Sequence, residues 1–222
     1  MYNFKQITFT LSGLLVFILS FSLSAQEFKP LEKNRAIGLV PQYAFLNGLR
    51  MDLDFRLRKD SPQWLVVAPQ VYMSSEDPAL WDFDQVWGLG MELQHRYFLK
   101  PGVMLPKGVY LGYGPVFQYF SIDDTRLHSE EVIENGIPYT VVRYGDVTTN
   151  LYKVGMTATA GVQILAYETV YFDLYAGAGI RFSFDDQSSG LHRIYNDWWG
   201  DYGYSGTLMT LGLRIGLLIP KR

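Results

Sequence analysis

Between Leu49 and Leu57 the chain reads Leu-Arg-Met-Asp-Leu-Asp-Phe-Arg-Leu, a large apolar side chain alternating with a full charge. Successive side chains of a strand point to opposite faces, so this stretch has one oily and one ionic face. About seven further segments repeat the period of two. Lipid outside and a packed polar lumen inside is the leading environment that satisfies both faces at once.

The first 25 residues stand apart. Lys5 precedes an apolar run from Leu11 to Leu23, and Ser24-Ala25 is followed by Gln26. That is the layout of a signal peptide. The expected organisation is therefore a leader over 1–25, a periplasmic N-terminal segment over 26–34 and an outer-membrane β-barrel over 35–222. The chain has no cysteine, which rules out a disulfide framework, thiolate metal sites and lipid anchoring through an N-terminal Cys. After the leader no apolar stretch approaches the roughly 20 residues of a spanning helix. Sixteen Tyr, 14 Phe, 5 Trp and 21 Gly suit short strands with an interfacial girdle. A net charge of −3 gives no basic footprint for nucleic acid.

Alternation predicts eight strands: Arg35–Phe45, Leu49–Arg58, Trp64–Met73, Val86–Phe98, Val109–Phe120, Leu151–Ala166, Val170–Phe184 and Gly206–Ile219. Asn47-Gly48 predicts a tight hairpin between the first two. Later connections alternate short and long, the long ones being Ser74–Gln85, Ser121–Asn150 and Asp185–Ser205. Outer-membrane barrels pair short periplasmic turns with long external loops. The expected fold is all-β, a closed antiparallel up-and-down transmembrane barrel. Eight strands is the first count. Ten is the alternative, because Asn135-Gly136 inside Val132–Val142 also reads as a hairpin, one that extends beyond the membrane or adds spanning strands.

Arg50, Asp52, Asp54, Arg56, Glu92, Arg96, Lys153, Asp173, Arg181 and Arg214 all fall on the face opposite the apolar one. An Arg or Lys facing lipid near the midplane costs about 2–4 kcal/mol, so these charges are expected to point inward. The interior of an eight-stranded barrel is filled by side chains, and interleaved Arg–carboxylate pairs are expected there, some bidentate. The network reads either as a structural plug that fixes register or as a proton or ion path. Inward glycines such as Gly38, Gly161, Gly212 and Gly216 leave volume for long Arg and Tyr side chains. A soluble lipid-binding barrel would invert the faces, against the run of bulky outward residues. Phe45, Trp87, Phe117, Tyr119, Tyr152, Phe182 and Phe184 are expected in an outer aromatic girdle, and Tyr97 at the periplasmic side.

The long loops are acidic, with Glu76, Asp77, Asp82 and Asp84 in the first and Asp123, Asp124, Glu130, Glu131, Glu134 and Asp146 in the second. No calcium-loop signature is present, so solvated loops are expected and no metal site is assigned. In the last loop Tyr195, Trp198, Trp199, Tyr202 and Tyr204 concentrate flat aromatic surface. That reads as a recognition surface or as rings folded onto the barrel rim. Catalysis has thin support. His95 falls on an outward face, His128 and His192 in long loops, and neither G-x-S-x-G nor H-E-x-x-H occurs. No catalytic residue and no cofactor are assigned.

From about residue 35 to 219 the chain resembles the small outer-membrane β-barrels of Gram-negative bacteria, the class of the OmpA membrane domain and OmpX. Gly212-Leu-Arg-Ile215-Gly-Leu217 is similar to the Gly-x-x-Φ-x-Φ signal in the last strand of such barrels. Here the chain continues Leu218-Ile-Pro-Lys-Arg222 instead of ending on an aromatic residue. The resemblance implies outer-membrane location, contact with outer-membrane lipid and lipopolysaccharide, and a role in envelope structure, adhesion or a larger complex. Another envelope protein bound through the external loops is an implied partner; nucleic acid is not. A narrow channel and a lipid A-modifying barrel enzyme are the alternatives.

Overall fold

The computed structural model describes residues 33–58, 61–75, 84–99, 106–166, 169–186 and 202–220. The expected signal peptide lies outside them. Eight strands run in chain order: β1 (Lys33–Leu39), β2 (Gly48–Arg56), β3 (Gln63–Ser75), β4 (Gln85–Phe98), β5 (Gly108–Glu134), β6 (Ile137–Ala166), β7 (Val170–Asp185) and β8 (Gly206–Pro220). Each pairs with the next, and β8 pairs antiparallel with β1, so the sheet closes into a barrel of eight strands.

The stagger of the barrel follows from its register. Arg35 lies opposite Phe55, and the ladder continues through Leu65, His95, Tyr113, Ala158 and Ala178 to Met209. Arg35 itself pairs with Ile219. One circuit therefore arrives ten residues along β8 from its start. A shear of that size tilts the strands by roughly 35–45°.

Two expectations fail at the start of the barrel. The first strand does not reach Phe45; it ends at Leu39, and Pro41–Leu46 forms a 3-10 helix. Pro41 has no N–H to offer a ladder and fixes its own φ for a helical first turn. The Tyr43 and Phe45 spacing only imitates a strand. Asn47-Gly48 is likewise no two-residue hairpin: Asn47, in the left-handed region at φ 53°, closes the 3-10 helix, and its N–H donates to the Ala44 carbonyl at 3.3 Å.

The segment Ser121–Asn150 is a ladder, not a loop. β5 and β6 stay paired without a break from Gly108 opposite Gln163 to Glu134 opposite Ile137. Asn135 at φ 53° and Gly136 at φ 82° supply the two positive φ values of the turn that suits a twisted hairpin. The alternative of an extended hairpin is the one realised, and the strand count is eight.

Outside, the barrel is apolar. Leu89, Met91, Leu93, Leu111, Phe117, Met156, Phe172 and Leu217 are all exposed. Trp87, Tyr119, Tyr152 and Phe184 run edge to edge around one end: the Trp87 and Tyr119 rings are 5.2 Å apart, Tyr119 and Tyr152 are 5.3 Å apart, and Tyr152 sits opposite Phe184. Phe45 is exposed too, but on the 3-10 helix. Near the other end Tyr97 lies on the outer face opposite Leu111.

Candidate functional site

The inward face of β2 presents Arg50, Asp52 and Asp54 at alternate positions, and β4 presents Glu92, Gln94 and Arg96 in the same way. Asp173 on β7 and Arg214 on β8 are register partners. Alternation on four strands thus delivers eight side chains to one cross-section.

Asp52, fully buried, is the centre. Arg50 holds it with Nε–Oδ1 at 2.7 Å and Nη2–Oδ2 at 3.5 Å, a bidentate contact. Arg214 Nε lies 2.6 Å from Oδ2, and Arg96 Nη2 lies 3.4 Å from the same oxygen. Arg50 reaches Glu92 at 2.6 Å, Arg96 reaches Asp54 at 3.2 Å, and Arg214 also pairs with Asp173. Three guanidinium groups therefore face four carboxylates, all with side chains nearly or wholly removed from solvent. Neutral groups complete the shell. Tyr110 donates to Asp173 at 3.0 Å, Thr157 to Glu92 at 2.9 Å, Arg96 to Gln94 at 2.5 Å and Gln94 to Thr159 at 2.8 Å.

Charges taken out of water are tolerated only when paired and hydrogen-bonded. Asp52, Glu92 and Asp173 meet that requirement by each serving several donors, whereas among the described residues Asp54 is held by Arg96 alone and its Oδ1 is buried without a partner. Apolar and aromatic side chains close the layer on both sides. Trp64, Phe98 and Tyr110 lie toward the short-turn end, and Tyr72, Phe120, Ile122 and Leu151 lie toward the hairpin end. The glycines make room. A Cβ on Gly161 would stand 2.5 Å from Tyr110 Oη, and one on Gly38 would stand 2.8 Å from Arg214 Cδ.

Of the ten expected lumen charges, Arg50, Asp52, Asp54, Glu92, Arg96, Lys153, Asp173 and Arg214 are buried. Lys153 lies higher, with Nζ 5.8 Å from the Phe120 ring centre. Arg181 donates to Gln118 at 3.2 Å, and Arg56 to the Ser61 carbonyl at 3.3 Å. Both lie at partly buried sites outside the ion layer. Charge alone therefore overlooked the neutral members: Gln70, Gln94, Gln118, Tyr110 and Thr157 occupy the same alternate positions, which was the signal available.

Above the ion layer the lumen widens into a cavity of about 380 Å³, lined among others by Arg50, Glu92, Lys153, Arg181, Leu208 and Thr210. The 3-10 helix bends over one side of it: Gln42 donates to Tyr175 Oη at 3.1 Å, and Arg50 to Tyr43 Oη at 3.3 Å. Tyr202 covers another side, its ring 4.8 Å from that of Phe120. Burial raises its phenol to about 12. Of the aromatic loop, then, Tyr202 folds into the mouth, and Tyr204 is half-buried beside Ser183, which donates to its carbonyl at 3.2 Å. Tyr195, Trp198 and Trp199 lie outside the described residues, as do Glu76, Asp77, Asp82 and His192.

Asp84, Asp123 and Asp146 are tied by threonines, with Thr125 donating to Asp84 at 2.6 Å and to Asp146 at 2.9 Å, and Thr148 to Asp123 at 2.7 Å. Among the described residues no group of three or more His, Cys, Asp or Glu is arranged to hold a metal ion.

These features define a small closed antiparallel β-barrel, apolar outside and filled with neutralised charge inside. No family model matches the chain, and no curated protein matches it. Among solved structures it is similar to Acinetobacter baumannii CarO, at 10% identity over 86% of this chain and 98% of that one, with a TM-score of 0.40. It is also similar to Acinetobacter baumannii CarO2, at 11% identity over 86% and 99%, with a TM-score of 0.37.

Proposed function

We propose that the protein is an integral barrel of the bacterial outer membrane, sealed against ion flow, that acts without catalysis as an envelope structural or interaction protein. The observation that carries this is the pairing of opposites: a continuous apolar exterior around a cross-section where Arg50, Arg96 and Arg214 are locked to buried carboxylates. Exposed apolar surface of that extent has no favourable partner in water, whereas acyl chains match it. The mutual pairing of those buried charges supports a filled lumen.

The working end is the one with the long β5–β6 hairpin, which carries the chain well past the aromatic ring and presents Glu130, Glu131, Glu134 and Arg143. His95 supports a non-catalytic reading: it stands on the outer face against Tyr113, ring centres 5.3 Å apart, away from the cavity.

Planar-bilayer recording tests the proposal. Purified protein inserted into a lipid bilayer is expected to give no stable unit currents. Reproducible unit conductance would overturn the sealed lumen, and a freely soluble monomer without detergent would overturn the membrane placement.

A further inference from the structure

Among the described residues the barrel wall is incomplete on one side. Pairing between β1 and β8 ends where Leu39 meets Ile215, because β1 gives way to the 3-10 helix. β8 nonetheless continues for nine residues, Gly206–Arg214, paired among the described residues with β7 on one flank only. Exposure shows the same gap. Met209 and Leu211 are 91% and 83% exposed, against 41% for Ile215 where β1 is present and 51% for Leu89 within the closed wall. The gap lies on the apolar band. Met209 pairs with Ala178, six residues along β7 from Phe184 of the aromatic ring.

An edge strand facing hydrocarbon is costly, since alternate residues aim N–H and C=O groups at the gap with nothing from β1 to receive them. Behind the gap is the 380 Å³ cavity, and Leu208, Met209, Thr210 and Leu211 line it. Of its charged lining, Arg50, Arg214 and Glu92 belong to the paired ion layer, while Lys153 and Arg181 stand above it. The opening is thus apolar at its outer lip, hydrogen-bonding at its edge and flanked inside by the two cations Lys153 and Arg181. Level with Gly212 the 3-10 helix closes in on β8, where Gln42 occupies the space a Cβ would need, so the opening lies beyond it, beside Leu208–Leu211.

From this geometry we infer that the gap between β8 and the 3-10 helix is a lateral portal for a single-chain anionic amphiphile of the fatty-acid type. The acid group lies in the cavity near Lys153 and Arg181, and the tail leaves between Met209 and the 3-10 helix into the surrounding acyl chains. This inference rests on the membrane placement proposed above.

The test uses the full barrel in nanodiscs of zwitterionic phospholipid. The probe is a palmitate analogue with a photoreactive diazirine close to the carboxyl, and a lysophosphatidylcholine with the same labelled position serves as comparator. Mass spectrometry then maps the labelled residues. Palmitate is expected to label lumen positions such as Thr157, Tyr175 and Thr210, and the comparator only outward positions. Replacing Lys153→Gln and Arg181→Gln together is expected to cut lumen labelling about tenfold while outward labelling persists, with heat-modifiable electrophoretic mobility reporting that the variant is folded. Labelling confined to outward residues would overturn the portal and leave the membrane placement intact. Equal lumen labelling by both probes would overturn recognition of the acid. Loss of outward labelling on a folded barrel would instead overturn the membrane placement.

Discussion

Arg214 on β8 and Asp52 on β2 approach to 2.6 Å across the intervening β1, and both are buried. Their contact spans the seam at which the barrel closes. Asp52 also serves Arg50 and Arg96. Replacing Asp52→Asn removes the charge that three guanidinium groups share, with almost no change of shape. Breaking a buried pair in this way costs about 3–5 kcal/mol. Urea unfolding in lipid vesicles is expected to show a loss of that order, and an unchanged midpoint would show that the layer does not depend on its central carboxylate.

Tyr110 and Gly161 form a second dependent pair. The phenol donates to both Asp173 oxygens at 3.0 Å, and its ring occupies the space a Cβ on Gly161 would need. Gly161→Ala is expected to cost about 1–3 kcal/mol by overpacking. Tyr110→Phe costs about 1.5–3 kcal/mol through loss of a hydrogen bond to a charged group. The double variant should be more stable than the sum of the two losses, because the clash includes the hydroxyl oxygen. Strict additivity in vesicle-bound unfolding would contradict the packing described.

The outer part of the β5–β6 hairpin is mostly exposed and sits beyond the aromatic ring. Deleting residues 127–144 and joining Arg126 to Gly145 through Asn-Gly is expected to leave the barrel folded, its stability within about 0.5 kcal/mol of the parent. Heat-modifiable mobility and the unfolding midpoint measure this. A barrel that no longer folds would show that the extension belongs to the closed unit. If the barrel folds and a bound envelope partner is lost, the working end is located.

Asp186 and Asn150 clamp one another just above that ring: the Asn150 backbone N–H donates to the carboxylate at 2.9 Å and its side-chain amide at 2.6 Å. Partial burial pushes the Asp186 carboxyl up, but the Asn150 hydrogen bonds outweigh it and hold the group below the usual value. A depressed carboxyl stabilises the fold above its unfolded pKa of about 3.9, and that contribution disappears as pH falls through the lower native value. NMR titration in micelles should therefore find Asp186 among the last carboxylates to protonate, and Asn150→Ala should return it toward the ordinary range. A midpoint at or above that range in the parent would remove the clamp from consideration.

Legibility in the sequence followed the range of the interactions. Alternation placed most strands to within a residue or two and directed Arg50, Asp52, Asp54, Glu92, Arg96, Asp173 and Arg214 inward, because the cost of a charge in lipid acts on each residue separately. It failed at Pro41–Leu46, where Tyr43 and Phe45 happen to fall at a strand spacing while Pro41 breaks the ladder. It also read the polar stretch Ser121–Asn150 as a loop, since a two-stranded arm in water has no oily face to mark it. The gap beside Met209 was not legible at all. Which residues of β8 lack a neighbour depends on where β1 stops and on the stagger of the whole cylinder, a global property that no local pattern encodes.

A seven-residue first strand in a cylinder with a ten-residue offset also bears on assembly order. The arm built by β5 and β6 is long, local in sequence and bridged by a turn of two residues, so its ends meet at little entropic cost. The joint between β1 and β8 is short and brings together opposite ends of the chain. The expected order of growth therefore runs outward from the arm, with the first and last strands meeting last. Amide exchange should accordingly be fastest along that joint in the finished barrel.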